Sequence, residues 1–253
     1  DGSASWMDEK MLDIERLSRP PAYQAVSLEL QRRILSGALK PGEALPSETE
    51  LAERFGVNRS TVREGIRQLE SEGLVRRESR KRLLVAVPST TDLAQRHTRN
   101  LVMHEVTFRE LWDVANVLEP LAAELAAVNL SEGDLKALGE NIKQTAAAIQ
   151  RGESPGELDL EFHNMISAGA GNRALLLARE PIGLLLYPAF ELIRPDLPQA
   201  AGRLLEAHKK IYAALKRRDA EGARTWSAKH IADLRRGWEL LKRDFDTKVS
   251  PPG

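Results

Sequence analysis

Four side chains in the second half of the sequence could together hold a divalent metal ion. Asp159 and His163 are four residues apart, so they share one face if their segment is a helix. His208 and His230 lie at nearly equal distances on either side of a turn expected at Arg218-Asp219, which places them at the same height on antiparallel helices. One carboxylate and three imidazoles suit Zn²⁺, Ni²⁺ or Mn²⁺. The spacing therefore indicates a metal site.

A second group of polar side chains could read DNA. A guanidinium can bond guanine through two parallel hydrogen bonds, and Ser or Thr hydroxyls reach phosphates or bases. Residues 59–82 contain eight basic and four acidic residues, a net charge of +4. The candidates on one helix are Asn58, Arg59, Ser60, Thr61, Arg63 and Arg67. A basic run further along the chain, Arg80, Lys81 and Arg82, adds a second contact surface.

The elements that position these basic residues follow from local patterns. Apolar residues at helical spacing predict a first helix from Tyr23. Ser47 and Glu50 form a capping box that begins a short second helix, and Asn58 can cap a third. Two β-prone segments between residues 74 and 87 then form a hairpin. Three helices and a hairpin make a winged helix-turn-helix, whose third helix would enter the major groove.

The rest of the chain is helical in pattern and predicts an all-α bundle of about seven helices, so the fold class is mainly α. The predicted helices lie near residues 90–104, 107–129, 131–151, 156–169, 172–194, 198–217 and 219–246. Pro181 and Pro188 should kink or split the fifth of them. The predicted organisation is a flexible leader at 1–21, a DNA-binding domain at 22–88, a helical effector domain at 89–246 and a tail at 247–253.

Composition narrows the classes of protein that this sequence could represent. The 253 residues carry 37 basic and 37 acidic side chains, but residues 22–87 alone carry a net +3. The zero total is therefore a cancellation and does not argue against a nucleic-acid partner. The sequence has no cysteine, which excludes disulfides, cysteine zinc sites and thiol catalysis. No apolar run reaches the roughly 20 residues of a membrane helix, and we expect a cytoplasmic protein.

The run from Gly42 to Glu64, continued from Gln68 to Val75, closely resembles the GntR family of bacterial transcription regulators. The resemblance implies that Arg59 and Arg63 read bases or phosphates, with Asn58, Ser60 and Thr61 assisting. It also implies a homodimer that binds an inverted repeat in double-stranded DNA. The sequence departs from the family at Thr49, where an Arg is common, and at the wing tip, which lacks the usual Gly.

Residues 107–241 resemble the ligand-sensing FCD domain of the FadR-type branch of that family. The matching pieces include Leu118-Glu119-Pro120 and the segments around the four candidate ligands. Many relatives bind a divalent metal through this Asp and three His, which assigns Asp159, His163, His208 and His230 as ligands, with Zn²⁺ first. A small carboxylate commonly completes the site. Ala115 stands where relatives often carry an Arg that binds the acid.

Three explanations of Ala115 stay open. The metal holds the acid alone, Arg173 or Arg194 replaces the absent guanidinium, or the effector is less anionic than usual. The sequence therefore predicts a DNA-binding transcriptional regulator, a repressor by default and not an enzyme, controlled by a small organic acid near a divalent metal. Two alternatives are a regulator for which the metal itself is the signal and a metal-dependent hydrolase. A hydrolase needs a general base beside the metal, and Glu161 points off the ligand face.

Overall fold

The computed structural model describes residues 21–79 and 82–250. They divide into two compact units, one that ends at Pro88 and one that begins at Ser89. The mainly α fold class is confirmed, and among the described helices none is long and apolar enough to cross a bilayer. Residues 1–20 of the predicted leader, the candidates Arg80 and Lys81, and residues 251–253 of the predicted tail lie outside the described residues.

The first unit has the predicted order of three helices and a hairpin. Its elements are α1 (Ala22–Leu35), α2 (Glu48–Phe55), α3 (Arg59–Glu72), β1 (Val75–Ser79) and β2 (Arg82–Val85). The Ser47–Glu50 capping box begins α2, and the Asn58 side chain accepts a hydrogen bond from the Thr61 amide at the start of α3. Gly73 ends α3 with φ at 79°, a left-handed conformation that glycine adopts without strain.

Helix α3 is held by a small apolar core. Its stripe of Val62, Ile66 and Leu69 is fully buried, as the sequence predicts. Gly65 lets α1 come close, because a Cβ at this position would lie 2.8 Å from the backbone oxygen of Tyr23. The two strands pair antiparallel, with Val75 opposite Val85, and the register is irregular between Arg77 and Ser79.

Over its described residues, the second unit is an all-helical bundle with one more α-helix than the sequence suggests, and a 3₁₀ helix in addition. Its elements are α4 (Thr90–Met103), α5 (Phe108–Asn129), α6 (Glu132–Gln150), α7 (Gly156–Gly169), α8 (Arg173–Leu186), α9 (Ala189–Ile193), a 3₁₀ helix (Arg194–Asp196), α10 (Gln199–Lys216) and α11 (Ala220–Leu240). The predicted fifth helix continues through Pro181 but splits before Pro188. Helix α5 packs mainly against α11, and α11 also packs on α10.

The end of the chain differs from the prediction of a helix to residue 246 followed by a tail. Helix α11 ends at Leu240, and Lys242 turns the chain with a φ of 51°. Phe245 and Val249 are then buried beside Trp238. The backbone N–H of Val249 donates to Val106 O at 2.9 Å. Residues 241–249 fold back onto the start of α5 because the side chains of Phe245 and Val249 pack in the apolar core there.

Candidate metal centre and nucleic-acid interface

The four candidate ligands meet in the interior of the second unit. Helix α7 supplies Asp159 and His163, α10 supplies His208, and α11 supplies His230. One possible ligand atom from each side chain lies within 4.8 Å of those of the other three. The first three side chains are buried, and the fourth is partly buried. The i,i+4 spacing on α7 and the turn between α10 and α11 thus do bring these residues together.

The distances within the cluster are those of atoms around a common centre. Asp159 Oδ1 lies 3.1 Å from His208 Nε2, 3.6 Å from His163 Nε2 and 3.7 Å from His230 Nε2. The Nε2 atoms of His163 and His230 are 3.1 Å apart. Nitrogen and oxygen ligands about 2.1 Å from one zinc ion would lie about 3.4 Å apart in a tetrahedron. The donor set therefore fits a divalent metal.

The hydrogen bonding and protonation of the cluster also fit a cation. Among the described residues, Asp159 Oδ1 and both ring nitrogens of His208 have no hydrogen-bond partner. Burial lowers the pKa of His208 to about 3, against the opposing effect of Asp159. Burial acts to raise the pKa of Asp159, but the imidazoles of His208 and His230 lower it well below its usual range. Neutral imidazoles and an ionised carboxylate are the protonation states that metals bind.

Glu119 on α5 orients His163, a role that the sequence did not assign. Its Oε2 lies 2.9 Å from His163 Nδ1, and Arg179 Nε on α8 donates to its Oε1 at 2.6 Å. Burial acts to raise the pKa of Glu119, but Arg179 and His163 together lower it to about 2. Because an ionised carboxylate can only accept, Nδ1 carries the proton and Nε2 turns its lone pair to the cluster.

Aromatic rings hold the imidazoles in place. Phe162 stacks on His208 with ring centroids 3.8 Å apart, and Tyr187 stacks on His163 at 4.3 Å. The guanidinium carbon of Arg179 lies over the Tyr187 ring, 5.3 Å from its centre. A carboxylate in an otherwise apolar stretch of α5 was the available sequence signal for Glu119. Nothing in the local pattern marked Arg179 or Tyr187.

A cavity of about 30 Å³ adjoins the cluster. Its polar lining consists of Asp159, His230, Tyr187 and the ion pair between Arg203 Nε and Asp233 Oδ2 at 2.9 Å. Its remaining wall is apolar and comprises Ile193, Ala200, Leu204, Ile231 and Leu234.

The two arginines proposed from the sequence to bind an effector do not line this cavity. Arg173 is exposed at the start of α8, and Arg194 is paired with Glu191 at 3.1 Å. Arg203 lines the cavity instead. Ala115, where relatives often carry Arg, is buried in an apolar cluster with Leu111 and Trp238.

At the start of α3, three of the candidate DNA contacts already bond to one another. Asn58 Oδ1 accepts from the Thr61 amide and hydroxyl, both at 2.8 Å, and from the Ser60 hydroxyl at 2.6 Å. A hydroxyl has a single proton to donate, so each must leave Asn58 before it can donate to a phosphate. This arrangement gives Asn58 a capping role in the free protein.

The exposed arginines of α3 line an open hollow of about 440 Å³. Arg59 and Arg67 lie along it with Arg63, which is 3.1 Å from Glu48 on α2. Arg77 on β1, absent from the sequence-based candidates, also lines the hollow and contacts Glu48 and Glu70 at 3.7 and 3.2 Å. The third wing candidate, Arg82, pairs with Glu78 at 2.9 Å. Four guanidiniums and two carboxylates therefore form one charged face.

Two families of domains match the chain. The description "Bacterial regulatory proteins, gntR family" fits residues 22–85, and the description "FCD domain" fits residues 110–233. The first match contains the charged hollow and the second contains all four residues of the cluster.

Individual relatives cover most of the chain. The HTH-type transcriptional regulator LutR of Bacillus subtilis is 27% identical over 85% of this chain and 99% of its own length. The uncharacterized HTH-type regulator YdhC of the same organism is also 27% identical, over 87% and 92%. The solved structure titled Streptococcus agalactiae GntR is 24% identical, covers 85% of this chain and 99% of its own, and has a TM-score of 0.57, which indicates a shared fold.

Proposed function

Because the chain belongs to the GntR family of bacterial regulatory proteins and carries an FCD domain, we propose that it is a repressor released by a small organic acid. The first unit binds the operator, and the second binds the acid near a divalent metal. The observation that carries the second part is the cluster of four possible ligand atoms. Among the described residues, Asp159 Oδ1 and both ring nitrogens of His208 in this cluster have no hydrogen-bond partner. The protein acts in the bacterial cytoplasm, where operators are accessible.

The proposed operator contacts come from the charged hollow. Arg59 and Arg63 lie in the first turns of α3, where a helix-turn-helix places side chains against base edges. Ser60, Thr61 and Arg67 contact the sugar-phosphate backbone beside them. Arg80, Lys81 and Arg82 contact it from the wing. Glu48 and Glu70 pair with arginines of the hollow in the free protein, and phosphates or bases of the operator replace these carboxylates on binding.

The proposed metal ligands are Asp159, His163, His208 and His230. Zn²⁺ suits their three imidazoles and one carboxylate, and Ni²⁺ or Mn²⁺ accept the same set. Bound there, the metal would act as a Lewis acid, and its positive charge would favour an anionic effector nearby. The protein's own contribution is orientation, since Glu119 fixes the tautomer of His163 and Phe162 stacks on His208.

The surroundings of the cluster support a binding site in preference to a hydrolytic one. Glu161, the acid on α7 between the two ligands, is exposed and accepts a hydrogen bond from the Asn141 amide at 3.0 Å. Glu119 is already bonded to His163 and Arg179. Both matched domains are those of transcription regulators. We therefore propose no catalytic residue.

A homodimer is the proposed form that binds an inverted repeat. Three valines on one face of α5, Val114, Val117 and Val128, are 44%, 64% and 68% exposed. Their helical spacing makes one apolar stripe, and burying such a stripe favours association. A two-fold dimer presents its recognition helices to two half-sites about one helical turn apart. Light scattering should give twice the mass of one chain.

Selection from a random pool of double-stranded DNA tests the operator part. We expect the metal-loaded chain to enrich an inverted repeat. On that selected site, Arg59→Ala and Arg63→Ala should each weaken binding by about 1–3 kcal/mol if they make bidentate base contacts. Arg32→Ala, an exposed arginine on α1 paired with Glu29, is the matched control. A pool without any enriched site, or full affinity in both variants, would contradict the proposal.

The same selected DNA distinguishes an acid signal from a metal signal. Operator affinity is measured for chelator-treated protein, for Zn²⁺-loaded protein, and for loaded protein with a panel of small carboxylates. An acid effector predicts that affinity changes with the acid, whereas a metal signal predicts the change on Zn²⁺ titration alone. His208→Ala with His230→Ala should remove bound metal in elemental analysis, and full occupancy in that variant would refute the metal site.

A further inference from the structure

The ion pair between Arg203 and Asp233 separates two cavities of the second unit. The inner cavity, about 30 Å³, adjoins Asp159 and His230 of the cluster. An outer and more open cavity of about 240 Å³ lies between α10 and α11. Arg203, Asp233 and His230 line both. A molecule that passes from the outer cavity to the cluster therefore meets this pair, which joins α10 to α11.

The two sides of the pair differ in chemistry. The outer cavity carries Lys210 and Lys229 beside the ring of Trp226, at 5.8 and 4.6 Å from its centre. With Arg203 it has three cations against the carboxylates of Glu206 and Asp233, and Glu206 is held by Lys209 at 2.7 Å. This balance attracts anions.

The inner cavity is small, and half of its lining residues are apolar. One water needs roughly 10–15 Å³ of this kind of volume, so about 30 Å³ holds only two or three atoms before the walls must move. Five of its lining residues are aliphatic or Ala, including Leu204 and Ile231. These five residues offer no hydrogen bonds, so hydroxyls of a sugar acid that face only this part of the wall would lose their hydration without compensation.

We propose that Arg203 is the effector's carboxylate anchor and that the effector is a short aliphatic monocarboxylate. This inference rests on the proposed function and names the ligand class of the same site. The incoming carboxylate takes the place of Asp233 on the guanidinium, and the short body of the acid lies on the aliphatic wall beside the cluster. Ala115 on α5 provides no guanidinium where relatives often carry an Arg. Arg203 on α10 supplies one in its place. Asp233 is an internal competitor for the same donor.

Calorimetric titration of the Zn²⁺-loaded chain of 253 residues tests this assignment with butyrate and D-gluconate as probes. Butyrate should bind more tightly than gluconate. Arg203→Met should weaken butyrate binding by about 10- to 100-fold, the effect of losing hydrogen bonds to a charged group. Asp233→Asn should strengthen it, because the competing charge is gone. Arg235→Met is the matched control, since this arginine lies on α11, pairs with Glu239 at 2.8 Å and does not line either cavity.

Metal content by elemental analysis and the melting temperature without acid accompany each titration. Unchanged metal content in Arg203→Met separates loss of the acid anchor from loss of the site. If Arg203→Met fails to fold, the stronger butyrate binding predicted for Asp233→Asn still tests the assignment. Wild-type affinity in Arg203→Met, no gain in Asp233→Asn, or preferred binding of gluconate would each overturn the assignment. Absence of butyrate binding would overturn it too, while metal loading and operator selection test the proposed function separately.

Discussion

The two units of this protein use the same pair of groups, an arginine and a glutamate, for opposite purposes. In the helical bundle, Arg179 and Glu119 are 1% and 2% exposed and their closest atoms are 2.6 Å apart. On the charged face of the first unit, Arg63 and Glu48 are 49% and 16% exposed and lie 3.1 Å apart. Water screens the second pair and not the first. The buried pair therefore fixes geometry, whereas the exposed pair can exchange its carboxylate for another anion.

The difference fits what each region is proposed to do. A metal centre needs its ligands already oriented, and the chain Arg179–Glu119–His163 holds one imidazole from three helices. The Asn164 side chain accepts a further hydrogen bond from Arg179. A surface that binds a polyanion needs the reverse, namely charges that are weakly held and replaceable. Exposure, more than the identity of the residues, distinguishes these two roles.

The largest effect that this comparison predicts is the loss of one partner of the buried pair. Arg179→Met should lower the free energy of unfolding of the second unit by about 3–5 kcal/mol, because Glu119 is then a buried charge without its guanidinium. Urea unfolding followed by tryptophan fluorescence reports mainly this unit, since three of the four tryptophans, Trp112, Trp226 and Trp238, belong to it.

The matched variant on the exposed face is Arg63→Met. Its cost in folding stability, followed by hydrogen exchange of the first unit, should stay below about 1 kcal/mol. A double variant, Glu119→Gln with Arg179→Met, should recover part of the loss by removing the orphaned charge. Equal costs for Arg179→Met and Arg63→Met would break the contrast between the two pairs.

The next largest effect is that of low pH, which should destabilise the second unit more than the first. In the unfolded chain a histidine takes up a proton below about pH 6.5, whereas burial lowers the pKa of His208 to about 3 and also lowers that of His163 against the pull of Glu119. The unfolded state then binds more protons, so stability is present above about pH 6.5 and is lost as the pH falls. Each such imidazole contributes about 1.4 kcal/mol per pH unit.

Hydrogen exchange of the metal-free protein between about pH 6.5 and 5 measures both units in one sample. Exchange must be corrected for its intrinsic dependence on pH. Residues 22–88 contain no histidine, so the first unit should change little over this range. The carboxylates of Asp159 and Glu119 stay ionised there because the pKa of each lies below its usual value. Parallel loss of protection in both units would contradict this account.

The sequence predicted the first unit better than the second because short-range rules govern it. Capping at Ser47 and Asn58 and the stripe of Val62, Ile66 and Leu69 each depend on neighbours within a few residues. Spacing also placed Asp159 beside His163 and His208 level with His230, and the family resemblance joined these two pairs into one site.

The parts that the sequence did not predict depend on contacts between distant segments. Arg179 reaches Glu119 across 60 residues, and Arg203 reaches Asp233 across 30. Arg173 and Arg194 were chosen for their charge and do not line the cavity, since no local pattern shows which side of α8 or of the 3₁₀ helix faces the cluster. The packing of Val249 on the start of α5 was missed for the same reason.

The smallest predicted effect concerns Arg77, the wing residue that the structure adds to the charged face of the first unit. Its guanidinium lies 3.7 Å from Glu48 and 3.2 Å from Glu70 and lines the charged hollow. If Arg77 binds a phosphate there, Arg77→Gln should weaken binding to all DNA sequences alike and reduce the salt dependence of the affinity by about one unit of slope. Glu48→Gln should strengthen binding to all DNA sequences, because it removes a negative charge from the same face.

Anisotropy titrations at several salt concentrations, with the selected operator and with a scrambled duplex, measure the effects of both variants. A slope unchanged in both variants would place Arg77 outside the interface and leave α3 as the main source of charge that reads DNA.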